Sequence, residues 1–394
     1  MTSARGYLDT ASAEPLHPAA RETLIAALER GYADPRRLHG AGRDARLLLD
    51  NARAVVAECL GVHADEVGFT ASGTDAVHRG LLGLVRARSG DGVVHGAVEH
   101  SSVLHAVTWQ PSPAHASIAV DATGRVDLDA MAAAARQPGV AVVALQAANQ
   151  EVGTVQPVDA LDLPDDVPLF VDAAASVGRL PLPARWTALA ASAHKWGGPG
   201  GVGVLVVRRS ARWTTPFPGD DGIDHLGGES AVPAALAAAA ALQAVLSERD
   251  ETAGRQHRQV ERIRACAGSL PDTEVVGDPV DRLPHLVTFS VLYASGDELV
   301  AGLDRRGFGV ASGSACTAST LEPSHVLAAM GALTHGNVRV SLRRDTTDDE
   351  VEAFCAALVD VVTDIRAGIG LTTPRRSPSP PLRSSDEQRR GDPG

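Results

Sequence analysis

Residues 168–208, PLFVDAAASVGRLPLPARWTALAASAHKWGGPGGVGVLVVR, decide the fold. Short apolar runs at 169–172 and 202–207, bounded by Gly, Pro and polar residues, read as strands of a sheet covered on both faces. Working outward, 67–70, 93–95 and 140–146 read the same way, and 44–60 and 75–87 carry helical periodicity between them. Apolar strands alternating with helices predict an α/β chain with a mostly parallel sheet. Ligands in such sheets bind beyond the carboxyl ends of the strands. The polar residues that follow the apolar runs, Asn149, Asp172 and Lys195, are therefore aimed at a site.

The chain has 394 residues, enough for a large and a small domain without disulfide or metal staples. Its 36 Lys and Arg against 48 Asp and Glu give a net charge of −12, which argues against nucleic acid as a partner. The four cysteines, Cys59, Cys266, Cys316 and Cys355, lie far apart without C-x-x-C spacing, so neither a disulfide framework nor a metal site is expected. No long apolar segment opens the chain, and the most apolar stretch, 234–242, is too short to span a membrane; a cytoplasmic protein is expected. The Ala-rich helical pattern at 231–248 leads into strand-like runs at 285–291 and 337–342. These place the domain boundaries at 16–250 for the large domain and at 1–15 with 251–372 for a smaller α+β domain. Residues 373–394 hold one large apolar side chain, Leu382, and read as a disordered tail.

Pyridoxal phosphate chemistry needs a lysine for a Schiff base, an acid against the pyridine nitrogen, donors for the phosphate and a group to fix the ring plane. Asp172 ends an apolar strand, where a carboxylate is costly unless it meets a cation. A helix-capping role explains it equally well when it is taken alone. Lys195, between apolar strands and ahead of a glycine-rich turn, reads alone as a loop lysine; the ordered pair Asp172/Lys195 is what points to the cofactor. In GFTASGTDA the backbone of Gly73 and Thr74, with the Thr74 hydroxyl, is placed to bind phosphate at a helix N-terminus. His100 opens another helix and is a candidate to lie over the ring.

Cys316 sits among small residues in ASGSACTASTLEPSHVL, a loop that reads as exposed and mobile, with a thiol available as nucleophile. Cys59, Cys266 and Cys355 fall on helical patterns and read as buried small hydrophobes. Arg339 alternates with Val338 and Val340, so its guanidinium faces away from them, either to clamp a carboxylate or to make an internal salt bridge. The match of 198–203 to G-x-G-x-x-G precedes a strand, not a helix, and carries no dinucleotide-binding mechanism.

The segments YLDTASAEPLHP, RRLHGAGRDAR, FTASGTDA, VEHSSVL, LQAANQEVGTVQPV, FVDAAASVGRLP, ASAHKWGGPGGVGVL, SGSACTASTLEPSHVLAAMG and NVRVSLRRDTTDDEV together resemble the cysteine desulfurases, in the subgroup with the longer cysteine loop. The resemblance implies the fold of pyridoxal-phosphate transferases of fold type I, with a seven-stranded type of sheet. It implies Lys195 as the Schiff-base lysine, Asp172 on the pyridine nitrogen and His100 stacked on the ring and moving protons. Asn149 falls near the phenolic oxygen, Thr74, Ser192 and His194 on the phosphate, and Arg339 on the substrate carboxylate. Cys316 takes sulfur from L-cysteine as a persulfide, leaving alanine, and passes it to an acceptor protein; the family is homodimeric. Two departures stand out: Ala175 occupies the place of a glutamine, and Ala231 that of a threonine reaching the partner subunit's phosphate, with Ser230 beside it. A C–S lyase, a selenocysteine lyase or a non-catalytic scaffold are the competing readings.

Overall fold

The computed structural model describes residues 6–31, 33–217, 232–312 and 323–371. Cys316, Ser230, Ala231 and the tail at 373–394 lie outside the described residues.

The strands β1 (Val67–Thr70), β2 (Gly92–Gly96), β3 (Ala116–Ile118), β4 (Val140–Gln146), β5 (Leu169–Asp172), β6 (Ala188–Ser192) and β7 (Gly203–Val207) form one seven-stranded sheet in the order β1-β7-β6-β5-β4-β2-β3. Neighbours from β6 to β3 are parallel, while β7 runs antiparallel to both β6 and β1. The sheet is thus mostly parallel, as expected, with β3 and β6 added to the strands assigned from sequence. The three residues of β3 carry too short an apolar run to register as a strand.

The helix α3 (Gly73–Arg86) lies directly on this sheet. A methyl group at Gly80 would meet Phe170 Cε2 at 2.5 Å, so the missing side chain sets how closely helix and strand approach. Phe170 itself is fully buried in β5. On the other face, α1 (Pro18–Arg30) and α2 (Gly40–Leu60) pack against α6 (Val232–Gly268).

The helix α6 spans the expected boundary at residue 250. It runs unbroken for 37 residues, about 55 Å, and contributes to both cores. Ala235, Ala238 and Leu242 join the core of the large sheet, while Val260, Ile263 and Ala267 join that of the small one. The sequence at 249–257 is polar because the helix crosses between the two cores there. The small sheet has the order β10-β9-β8, all antiparallel, from β8 (Thr273–Val276), β9 (Leu286–Val291) and β10 (Asn337–Ser341). It is covered by α6, by α7 (Gly296–Asp304) and by α9 (Asp348–Gly368), whose Thr347 cap and Glu350 form a capping box. A short helix, α8 (His325–Met330), begins nine residues after Cys316 in the sequence. Among the described residues no helix is long and apolar enough to cross a membrane.

Replacing Phe170 by Ala removes the ring against which Gly80 is seated. The expected cost is about 3–5 kcal/mol, read as a lower urea midpoint for the protein without cofactor.

Candidate active site

The parallel register aligns three polar strand ends. Gln146 of β4 stands opposite Asp172 of β5, and Asp172 opposite Ala190 of β6, two residues before Ser192. Beyond this edge lies a cleft with about 760 Å³ of space between atoms, open solvent included. Gly73, Thr74, His100, Asp172, Ser192, His194 and Lys195 all line it. Seven sites expected from sequence are therefore brought together.

One end of the cleft is a cup of donors. Ser72 caps α3 by accepting from the Asp75 amide at 3.0 Å, leaving the helix N-terminus open toward Ser192. A methyl at Gly73 would sit 2.6 Å from Ser192 Cβ, so glycine is what lets the two elements meet. Gly203 does the same for the preceding turn, because a methyl there would strike the Ser72 carbonyl. The glycine-rich stretch rejected as a dinucleotide motif thus has a packing reason. Asp75, an acid in the first turn, is drawn aside by Arg79 at 2.8 Å. The Ser192 hydroxyl and His194 Nδ1 are 2.9 Å apart, and burial with the nearby Lys195 charge holds the His194 pKa down to about 4. A neutral His194 has one ring N–H to donate to a phosphate, and α3 offers its positive pole there.

The middle of the cleft holds Asp172, His100 and Lys195. Burial raises the Asp172 carboxyl above its ordinary range, opposed by His100, the Ala174 amide and Lys195. A buried carboxyl of this kind gains most from a cation against it, such as a protonated pyridine nitrogen. His100 caps α4 (Ser101–Trp109), with Nδ1 accepting from the Ser102 amide at 3.2 Å. Burial lowers its pKa, and the Asp172 charge opposes the shift. Lys195 donates from Nζ to the carbonyls of Ala11 and Ser12, the latter at 3.1 Å. These donors and the carboxyl suit pyridoxal phosphate, with its phosphate in the cup, its nitrogen at Asp172 and its aldehyde carbon toward Lys195.

Two expected sites lie outside the residues that line the cleft, Asn149 and Arg339. Asn149 is set back from the cleft and fully buried: its Oδ1 accepts from the Glu151 and Val152 amides at 2.8 Å, and Nδ2 donates to the Val98 carbonyl. The amide that looked like a ligand group braces the turn after β4. Arg339 makes the internal ion pair: Nη2 donates to Asp9 at 2.8 Å and to the Ser12 hydroxyl at 2.6 Å. Its buried Nε has no partner among the described residues, so one guanidinium donor is left over.

Sequence reasoning missed Ser102, Gln146 and Gln150, which also line the cleft. Gln146 ends its apolar run just as Asp172 does, and its Oε1 is buried without a partner. It also missed the buried acids. Glu99 accepts the Gln146 amide at 2.9 Å, and burial pushes its carboxyl far above the usual range. Glu151, beside Ser324 and Arg339, is raised by burial to about 7. Ala175 opens onto a second space of about 230 Å³ shared with Gln150, Lys195 and His285.

Fold and site together define a pyridoxal-phosphate enzyme, and residues 6–354 match the model of the class V aminotransferase family, to which the chain belongs. The chain is 35% identical over 384 residues to the cysteine desulfurase of Cereibacter sphaeroides, covering 92% of this chain and 97% of that one. It is 34% identical to the IscS-like cysteine desulfurase of Mycobacterium tuberculosis, over 91% of this chain and 97% of the relative. A solved NifS-like protein superposes with a TM-score of 0.83 at 25% identity, covering 91% of this chain and all of the other. Within its family the chain is a cysteine desulfurase, dependent on pyridoxal phosphate.

Gly73→Val should push α3 away from Ser192 and weaken pyridoxal phosphate binding about tenfold or more, read by fluorescence titration, with circular dichroism unchanged. The His194 pKa, lowered in the folded state from 6.5 to about 4, makes the unfolded chain the better proton binder between those values. That contribution to stability is present above pH 6.5 and is lost as pH falls toward 4. His194→Asn, without cofactor, should show a shallower decline of the urea midpoint across that window.

Proposed function

We propose that the cleft carries out the desulfuration with Lys195, His100, Arg339 and Cys316 in separate roles. The observation that carries this reading is the convergence of Asp172, His100, Lys195 and the Gly73–Ser192 cup on one cleft. Bound pyridoxal phosphate supplies an electron sink that weakens the bonds at the substrate Cα. Thr74, Ser192 and His194 hold its phosphate, and Asp172 keeps its ring nitrogen protonated. Lys195 anchors it and, once displaced by substrate, moves the proton at Cα. Arg339 binds the substrate carboxylate, its idle Nε–H adding a donor to those shared with Asp9. His100, held neutral by burial, accepts the substrate thiol proton.

Cys316 attacks the substrate Sγ: an S–S bond forms, the Cβ–S bond breaks, and alanine leaves with the persulfide on the enzyme. An acceptor protein then takes that sulfur. The enzyme acts as a cytoplasmic homodimer; Leu38 and Leu47, 89% and 67% exposed around the start of α2, offer apolar surface for the partner subunit to cover. Light scattering should give twice the chain mass.

After incubation with L-cysteine, mass spectrometry should find one added sulfur on the Cys316 peptide and an equal amount of alanine. Cys316→Ala should lose both while keeping the cofactor's absorbance; full alanine release by that variant overturns the reading. His100→Ala should lower kcat roughly a hundredfold or more with the cofactor retained.

A further inference from the structure

Two thiols outside the cleft meet where the last turn of α6 packs on α9. Cys266 donates from Sγ to the Cys355 carbonyl oxygen at 3.7 Å, which sets the two cysteines side by side across the helix contact. Both are half-buried at the rim of the small-sheet core, not sealed within it as their helical patterns suggested.

The pair is asymmetric. The Cys355 S–H stabilises a thiolate at Cys266 and lowers its pKa. The same contact, burial and the Glu352 charge push Cys355 up, with Arg262 opposing. Cys266 is thus the nucleophile and Cys355 the thiol that follows. By contrast, Cys59 has no thiol beside it among the described residues, and burial raises it to about 11.

We propose that Cys266 and Cys355 form a second sulfur-handling site, a dithiol that accepts sulfane sulfur from a persulfide and closes to a disulfide. In the first step the Cys266 thiolate attacks the outer sulfur of a persulfide R–S–SH; the R–S⁻ thiolate leaves and Cys266 carries S–SH. In the second, the Cys355 sulfur attacks the inner sulfur of that persulfide; hydrosulfide leaves with the Cys355 proton as hydrogen sulfide. Two thiols are oxidised to a disulfide, and one sulfane sulfur is reduced to sulfide. The oxidant is sulfane sulfur itself, the product of the established activity. The proposal rests on that activity only for its supply.

The test supplies the donor from outside. Full-length Cys316→Ser protein with bound cofactor is treated with glutathione persulfide, without cysteine, and digested under non-reducing conditions. The expected result is a linked pair of peptides bearing residues 266 and 355, with hydrogen sulfide released in equal amount. Cys355→Ser should instead accumulate a persulfide on Cys266, and Cys266→Ser should give neither product. Cys355→Ala should also slow alkylation of Cys266 at neutral pH by about tenfold, a change that loss of packing alone would not produce. Absence of the linked peptides, or equal persulfide on Cys266 with and without Cys355, overturns the proposal. If wild-type protein still forms the Cys316 persulfide from L-cysteine, the dithiol falls and the desulfurase mechanism stands.

Discussion

The site depends on the register of three parallel strands. A slip of one residue between β4, β5 and β6 would carry Gln146, Asp172 and Ser192 to opposite faces and take the polar edge apart. The same register seats α3, because Gly80 rests on Phe170 and Gly73 on Ser192. One constraint therefore places the acid proposed for the ring nitrogen, the donors proposed for the phosphate and the helix pole beside them. Two glycines without side chains and one strand pairing do what a set of dedicated ligand residues would otherwise have to do.

The second tie is the segment at 9–12, which joins the two sheets at the reacting end. Asp9 bridges to Ser341, and the Thr10 hydroxyl donates to the Leu342 carbonyl, fixing the segment to the end of β10. From there, Ala11 and Ser12 offer carbonyls to the Lys195 amine, and Ser12 with Asp9 holds Arg339. The lysine proposed to anchor the cofactor and the arginine proposed for the substrate carboxylate are thus positioned through one short stretch of backbone. Their positive charges, with that of Arg179, add to burial in keeping His285 neutral.

The reading from sequence was strongest where a residue's place follows from local pattern. Asp172 and Lys195 follow apolar runs, and Gly73 follows a strand and opens a helix, so each could be aimed before any tertiary contact was known. Asn149 satisfied the same rule, yet its amide is consumed by the turn it sits in, a competition between side chain and backbone that periodicity does not record. Gln146 satisfied it too and passed unnoticed, because it was counted as the last residue of its strand and its amide was not weighed. Arg339 could be placed on a face but not given a partner, since Asp9 is 330 residues away. The length of α6 was missed because its polar middle looks like a linker. Only the presence of a core at each end makes it one helix.

The departure at Ala175 changes the balance of the cleft less than the sequence alone suggests. Loss of a glutamine removes an amide from the lining, and the space it leaves is shared with Gln150, Lys195 and the neutral His285. Gln146 adds a buried carbonyl oxygen with no partner on the neighbouring wall. Polar groups are therefore within the same small volume, carried by the turn after β4 and by the entry to β9 in place of the turn after β5. What the substitution removes is a donor fixed beside Asp172; what it leaves is room next to the lysine.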